Sequence, residues 1–388
     1  RVLFRSIRCT ARSRTARGTD AMNLAILIGH FPPGSFGGAE LQAQGWAERL
    51  SAHHRVTVIT RRDPADQPER EVRDGYTVLR LPVSRIPIWR TFADLRAIEG
   101  AVARLEPRPD LLLCFQTFIS GLAGVNAGDR LGIPAVVWIR GEAEYRLRTS
   151  RVHGRVSPDV WTRAAGVLVQ SDTGRADLLA ELERVAPDRV PGVRGKLAVV
   201  ENGLDLPTAS PVPHAGPVLS VGRLIPDKGM DVVLEACAIA RRPLVLAGSG
   251  PERAALEARA AALGAEVRFA GFVGREALAA LYQEASVVVL AARRGEGLPN
   301  VLLEAMAHGR PVVATACAGT RNLLADGANG LIVPADDAGA LAAVLTRLAH
   351  EPAIAERLAV AARSTAERFE WRRVQPRLEA AIERWRRR

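Results

Sequence analysis

Of the chain's 53 basic residues only two are lysine, Lys196 and Lys228. Lys228 closes the run Val221-Gly222-Arg223-Leu-Ile-Pro-Asp227-Lys228-Gly229, which reads as a strand end passing into a helix. Arg223 offers a planar fork for phosphate oxygens, and Lys228 a point charge on a flexible stem. Two cations at a helix start oppose that helix's own dipole, so they fit best where an anion neutralises them. A solvated basic turn is the alternative. Because arginine fills nearly every other basic position, a lysine at 228 suggests that an ammonium is specifically wanted.

A second cluster is Arg294-Gly295-Glu296-Gly297-Leu298-Pro299-Asn300-Val-Leu-Leu-Glu304-Ala-Met-Ala-His308-Gly309. Glu296 follows an apolar strand, and Pro299 sits where a helix can begin. Glu304 falls in that helix's second turn among Leu303, Ala305 and Met306, where a carboxylate is costly unless something hydrogen-bonds to it. Two such carboxylates can each accept from a sugar or ribose hydroxyl; a surface Glu296 and a Glu304 capped by local amides is the bland reading. Near the start, Gly37 and Gly38 precede a helix. Bare amides there can approach a phosphate or sugar oxygen, or simply form a tight turn. Arg140-Gly141-Glu142 ends another apolar strand and is assigned to the same cleft.

Other chemistries find no support. Neither the Gly37-Gly38 loop nor Gly248-Ser-Gly250-Pro251 has the lysine of a P-loop or the glycine spacing of a dinucleotide fingerprint. No histidine has metal-ligand spacing, so no metal or other cofactor is expected. No Ser-His-Asp arrangement is recognisable.

Elements that position these residues follow from the alternation of short apolar runs with longer amphipathic stretches, the signature of βα units and a parallel sheet. Strands are expected at Leu24–Ile28, Arg55–Thr60, Thr77–Leu81, Leu111–Phe115, Ala135–Ile139 and Gly166–Gln170. After the turn-rich segment Asn202–Pro217 the alternation restarts at Val218–Val221, Pro243–Ala247, Val267–Ala270, Ser286–Leu290, Pro311–Thr315 and Leu331–Val333. Two doubly wound, Rossmann-like domains facing across a cleft are therefore expected, over residues 22–200 and 218–370, joined by a linker at 201–217. Residues 371–388 form a basic helix packing across the domain boundary, and residues 1–21 a disordered or spurious extension.

Composition agrees with a soluble globular chain of 388 residues, 48% hydrophobic. The net charge of +11 raises a nucleic-acid reading, yet it is concentrated at the two ends. Cys9, Cys114, Cys237 and Cys317 form no paired pattern, consistent with a reducing cytosol. The long uncharged run Leu111–Gly128 is broken by Gln116, Asn126 and three glycines, and reads as a buried strand running into a helix rather than a membrane span.

Taken together, the two carboxylates Glu296 and Glu304 with seven residues between them, Val-Gly-Arg-Leu-x-x-x-Lys-Gly, Ala-Gly-x-Gly-Pro, the Asn202-Gly203-Leu-Asp205 turn and the early Gly-Gly-Ala-Glu resemble the retaining glycosyltransferases of family 4, with the glycosyltransferase-B fold. The match is strongest over Leu197–Pro334 and looser over Met22–Leu182. The resemblance implies a nucleotide-diphosphate-sugar donor held without a metal. Arg223 and Lys228 would bind its pyrophosphate, Glu304 the ribose, and Glu296 with Gly297 and Leu298 the sugar; Gly38 would approach through its amide, and Gly37 and Arg140 would line the cleft. Two histidines frequent in the family are replaced, one by the Phe115-Gln116-Thr117 stretch and one by Arg140. The Gly-Gly turn usual before residue 321 reads Ala318-Gly319-Thr320.

The reading is thus a metal-independent, retaining hexosyltransferase acting on a glycan or lipid-linked acceptor in polysaccharide or cell-envelope biosynthesis. It would be cytoplasmic, at the inner face of the membrane, where the C-terminal arginines either touch anionic lipid or form a solvated face. A nucleotide-sugar epimerase and an Arg-rich nucleic-acid-binding protein are the alternatives.

Overall fold

Five apolar runs, Leu111–Phe115, Ala135–Trp138, Gly166–Val169, Val287–Leu290 and Val312–Thr315, are buried at every position. Strands buried on both faces are what a parallel sheet sandwiched by helices requires. The computed structural model describes residues 21–34, 37–82, 87–141, 144, 147–293 and 297–387. The expectation for residues 1–21 therefore lies outside the described residues save Ala21, as do Glu142, Glu296 and Arg388.

The first sheet contains β1 (Asn23–Leu27), β2 (Arg55–Arg61), β3 (Arg70–Arg73), β4 (Tyr76–Leu81), β5 (Leu111–Phe115), β6 (Ala135–Trp138), β7 (Gly166–Val169) and β8 (Leu197–Val199). Their spatial order is β3-β4-β2-β1-β5-β6-β7-β8, parallel throughout except for the β3–β4 pair. The second sheet contains β9 (Val218–Val221), β10 (Leu244–Ala247), β11 (Val267–Gly271), β12 (Val287–Leu290), β13 (Val312–Thr315) and β14 (Leu331–Val333), all parallel, in the order β11-β10-β9-β12-β13-β14. The expected α/β fold of two doubly wound halves is the one the chain adopts. In each sheet the strand order reverses once, between β1 and β5 and between β9 and β12. Ligands of open α/β sheets bind in the crevice that opens outside the carboxyl ends of such strands.

Most strands lie within a residue or two of their expected places; β3 and β8 do not appear in the expectation. The Arg-Glu-Val-Arg of β3 alternates between half-buried and exposed and carries no apolar run to flag it, and β8 is three residues long. The Leu111–Gly128 run resolves into β5, a turn at Thr117–Gly121 and the helix Leu122–Leu131. Among the described residues no helix is long and apolar enough to cross a membrane.

The chain passes between the halves twice, and the crossings hold each other: the Leu204 amide donates to the Phe369 carbonyl at 2.9 Å and the Trp371 amide to the Leu204 carbonyl at 3.1 Å. Beyond the second crossing, the helix Trp371–Arg386 lays Trp371, Val374, Leu378, Ile382 and Trp385 into the apolar cluster on one face of the first sheet. Trp371 meets Trp46 edge-on, with ring centroids 4.8 Å apart. A Cβ on Gly203 or Gly166 would collide with the Trp371 or Trp385 ring, so the backbone at both points lies flat against indole.

Candidate functional site

At the second sheet's reversal, β9 runs into a loop that carries Arg223, exposed, and Lys228, half-buried at the end of a single 3₁₀ turn, Pro226–Lys228. Gly229 follows with φ +62°, a left-handed conformation, tucked against the Ala291 carbonyl where a Cβ would clash. The turn is fixed from below by Arg293. Its amide donates to the Asp227 carbonyl at 2.9 Å, and its guanidinium forks onto both carboxylate oxygens of Asp231 at 3.0 and 2.8 Å and reaches Asp336 at 2.5 Å. Those hydrogen bonds, Asp231's first, raise the Arg293 pKa above its already high ordinary value. Lys228 is thus set in place by an ion-pair clamp beside it that the sequence reading had not singled out.

Glu304 stands on the short helix Asn300–Ala307, half-buried, and one carboxylate oxygen accepts from the Tyr282 hydroxyl at 2.9 Å. Its partner is thus a phenol twenty-two residues upstream and not the local amides of the bland reading. Burial pushes the Glu304 carboxyl above its usual range, with the tyrosine bond opposing. Burial, reinforced by Glu304, raises Tyr282 well above its ordinary value. The Tyr282 ring in turn stacks on His308, centroids 5.0 Å apart. Gly297 and Leu298 lead into this helix; Glu296, the sugar-side carboxylate of the sequence reading, lies outside the described residues.

At the first sheet's reversal, Gly37 caps the helix Gly38–Leu50 without a side-chain bond. The Gly38 carbonyl accepts from Asn300 Nδ2 at 3.0 Å, which joins the two halves directly. Beyond β5, Gln116 has φ +77° and Ile119 φ +58°, conformations that non-glycine residues seldom adopt and that the surroundings must hold in place. Glu144 does much of that holding. Its carboxylate accepts from the amides of Thr117 and Arg140 at 2.6 Å each and of Gly141 at 3.2 Å, stitching the ends of β5 and β6 together. Burial raises its pKa from the ordinary value, and the amide bonds oppose that rise.

Asn202 is the hub of the seam. It is 1% exposed. Its oxygen accepts from Arg140 Nη2 at 2.6 Å and Gln170 Nε2 at 2.7 Å, and its nitrogen donates to the Leu298 carbonyl at 3.1 Å and Asn300 Oδ1 at 2.6 Å. Gly297 rests on the same floor: a Cβ there would come within 2.6 Å of Gln170 Oε1 and 3.0 Å of the Arg140 carbonyl. The seam therefore unites Gly38, Arg140, Gly297 and Leu298 from the sequence reading with Gln170 and Asn300, which it passed over. Arg223, Lys228 and Glu304 stand on the second half beside it. The polar residues missed are amides and carboxylates whose role depends on partners far away in sequence; Asn300, alone between Pro299 and an apolar run, was the one with a local signal.

Two facing doubly wound sheets, with a cation-bearing loop at one reversal and a glycine-led helix at the other, define the glycosyltransferase-B architecture. Comparison with known proteins agrees. Residues 37–194 match the family described as glycosyl transferase 4-like domain, and residues 216–351 the one described as glycosyl transferases group 1. The D-inositol 3-phosphate glycosyltransferase of Saccharomonospora viridis is 31% identical over 362 residues, covering 82% of each chain. Among solved structures, sucrose-phosphate synthase from Thermosynechococcus elongatus superposes with a TM-score of 0.81 at 22% identity, covering 94% of this chain and 98% of its own. Anabaena HepE in complex with UDP and glucose gives 0.73 at 20% identity, covering 93% and 99%. The chain belongs to the glycosyltransferases of family 4 and is a glycosyltransferase.

Proposed function

We propose that the chain moves a hexose from a nucleotide-diphosphate-sugar to a glycan or lipid-linked acceptor, with retention at the anomeric carbon and without a metal. The observation that carries this reading is the bond from Asn300 to the Gly38 carbonyl at 3.0 Å. It brings the glycine-led helix of the first half against the loop that leads to Glu304. UDP and glucose are bound by the Anabaena neighbour of the same fold, which supports a nucleotide-sugar as the donor.

Breaking a glycosyl–phosphate bond builds negative charge on the departing pyrophosphate and positive charge on the sugar. Arg223 and Lys228 would meet the first, stabilising the transition state more than the ground state. Glu304, already oriented by Tyr282, would accept from the ribose hydroxyls. Glu296 with Gly297 and Leu298 would hold the sugar hydroxyls, and the Gly38 amide would approach a phosphate or sugar oxygen. Gly37 and Arg140 would line the cleft between them. Closing the two halves on the donor limits attack by water. The setting that fits is polysaccharide or cell-envelope synthesis in the cytoplasm, at the inner membrane face. There, arginines of the Trp371–Arg386 helix would touch anionic lipid, and salt-sensitive binding to anionic vesicles tests that placement.

The experiment is a thermal-shift screen against UDP-, GDP- and ADP-sugars, followed by transfer with the donor that binds and determination of the product's anomeric configuration. A ligand at about 100 times its dissociation constant stabilises by about 2.7 kcal/mol, an easily read shift. Stabilisation by one nucleotide's sugars and a retained linkage are expected. No shift with any donor, an inverted product, or isomerisation of the donor without acceptor would overturn the reading.

A further inference from the structure

Three arginines are deeply buried among the described residues, Arg80 and Arg140 in the first half and Arg310 in the second, and their surroundings treat them differently. Arg80, 2% exposed, pairs through Nη2 with Glu71 Oε2 at 2.6 Å and reaches the Pro68 and Pro32 carbonyls at 3.4 Å, which leaves Nε alone without a partner. Arg310, 0% exposed, reaches carbonyls with every nitrogen: Nε donates to His308 at 3.2 Å, Nη1 to Gln283 and Ala285 at 3.4 Å, and Nη2 to Ser210, whose hydroxyl it also meets at 3.0 Å. That is how a structural guanidinium is accommodated away from water. Arg140, 8% exposed, donates from Nη2 to Asn202. Among the described residues its Nε and Nη1 have no hydrogen-bond partner, and both are out of contact with solvent. Its charge lies over the rings of Trp138 and Phe115, 4.9 and 5.3 Å from their centroids, which hold the guanidinium in place without using its N–H groups. Nor do the neighbouring carboxylates use them. Glu144 is engaged by three backbone amides, and Glu40 folds back against Gly37 at its own helix start.

Unpaired, desolvated donors on a cation are costly, and the cost is recovered when an anionic oxygen meets them. Their place in the fold indicates where that oxygen comes from. Arg140 follows β6, next to β5 at the first sheet's reversal, and Asn202, the one hydrogen-bond partner of its guanidinium among the described residues, binds the Leu298 carbonyl with its other end. The guanidinium is therefore one amide's width from the loop that leads to Glu304. We propose that Arg140 is a specificity-determining residue that recognises an anionic group, a carboxylate or a phosphate, carried by one of the two substrates in the cleft. The proposal rests on the reading of that cleft as the donor–acceptor site. The anion is borne either by the transferred sugar, as in a uronic acid, or by the acceptor, as in a sugar or polyol phosphate.

The test measures kcat/KM of the full chain with matched pairs: nucleotide-hexuronates against nucleotide-hexoses, and phosphorylated polyol acceptors against their unphosphorylated forms. Wild type, Arg140→Gln and Arg140→Lys are compared, with melting temperature confirming folding. Wild type should favour the anionic member of one pair by about 10- to 100-fold, the scale of a hydrogen bond to a charged group. Arg140→Gln should reduce that ratio to a few-fold, and Arg140→Lys should fall between. A collapse in the donor pair assigns the anion to the sugar, and one in the acceptor pair assigns it to the acceptor. Should Arg140→Gln fail to fold, the partial loss in Arg140→Lys carries the test. Equal loss on both members of each pair, or a wild type that prefers neutral substrates in both, overturns the proposal. Stabilisation of wild type by a nucleoside diphosphate reports on the cleft's donor site separately, so its absence marks failure of the underlying reading instead.

Discussion

The two sheet reversals hold positive charge in opposite ways. On the second half Arg223 lies exposed and Lys228 half-buried, on a loop whose rigidity comes from the neighbouring Arg293 clamp. On the first half Arg140 is sealed under the seam, between aromatic rings and an amide that also binds the opposite loop. An exposed cation such as Arg223 remains hydrated until a ligand arrives and contributes little to holding the fold. A sealed cation is part of the fold, and removing what surrounds it is felt as lost stability. One region should therefore respond to mutation in turnover and the other in stability as well.

The sharpest way to break this contrast is at Arg223 and Lys228. Lys228→Ala and Arg223→Ala should each lower kcat/KM by about 10²- to 10³-fold, the scale of removing one preorganised charge partner from a transition state. Glu304→Ala should join them. The melting temperature of Arg223→Ala should stay close to wild type; a folded variant at either position with near-normal turnover would remove that residue from the site.

At the seam the expectation reverses. Asn202→Leu deletes four hydrogen bonds and leaves Arg140, Gln170, Asn300 and the Leu298 carbonyl without a partner there. A buried polar group left unsatisfied costs about 1–3 kcal/mol, so chemical denaturation should show at least one such increment. An unchanged denaturation midpoint would show that the seam does not join the halves. Tyr282→Phe lies between the two regimes, because it removes one hydroxyl that orients Glu304 and leaves the packing alone. About 1 kcal/mol, or up to tenfold in donor affinity, is expected by titration, with kcat less affected.

This contrast also explains what was legible in the sequence. The doubly wound fold could be read because strands such as Val287–Leu290 are continuous apolar runs between amphipathic stretches, a local signal. Arg223 and Lys228 could be read because two cations at a helix start are locally unfavourable. Arg140 could be placed at a strand end, but its isolation could not be seen, since that depends on Phe115 and Asn202 arriving from two other segments to join Trp138 of its own strand. Glu144 and Arg293 were invisible for the same reason: a carboxylate that accepts from an amide twenty-seven residues away has no sequence signature. The edge strand β3, polar and alternating, shows the limit for the fold itself.

The smallest effect expected is a pH dependence in the seam, carried by Glu144. Burial raises its carboxyl above the ordinary value of 4.5 in the folded chain. Below that value the carboxyl is protonated whether the chain is folded or not, and it contributes no pH dependence. As pH rises from 4.5 through the raised folded value, the unfolded chain releases its proton first while the native chain retains it. Stability therefore falls across that window and levels off above it. Glu304, also raised by burial, titrates in the same direction, so the total slope cannot be assigned to one group. The comparison that isolates Glu144 is the difference in unfolding free energy between wild type and Glu144→Gln, measured from pH 4 upward. The variant has no proton to lose; its single carbonyl oxygen can serve either the Thr117 amide or the Arg140 and Gly141 amides, which meet different oxygens of the carboxylate, and the bond lost is a constant offset with no pH dependence. The wild-type curve should fall relative to the variant's as pH rises, and the two should run parallel once Glu144 is fully ionised. Parallel curves over the whole range would mean that the three amides balance burial, and a wild type that gains on the variant with rising pH that they outweigh it and the carboxylate stabilises the sealed side as an anion.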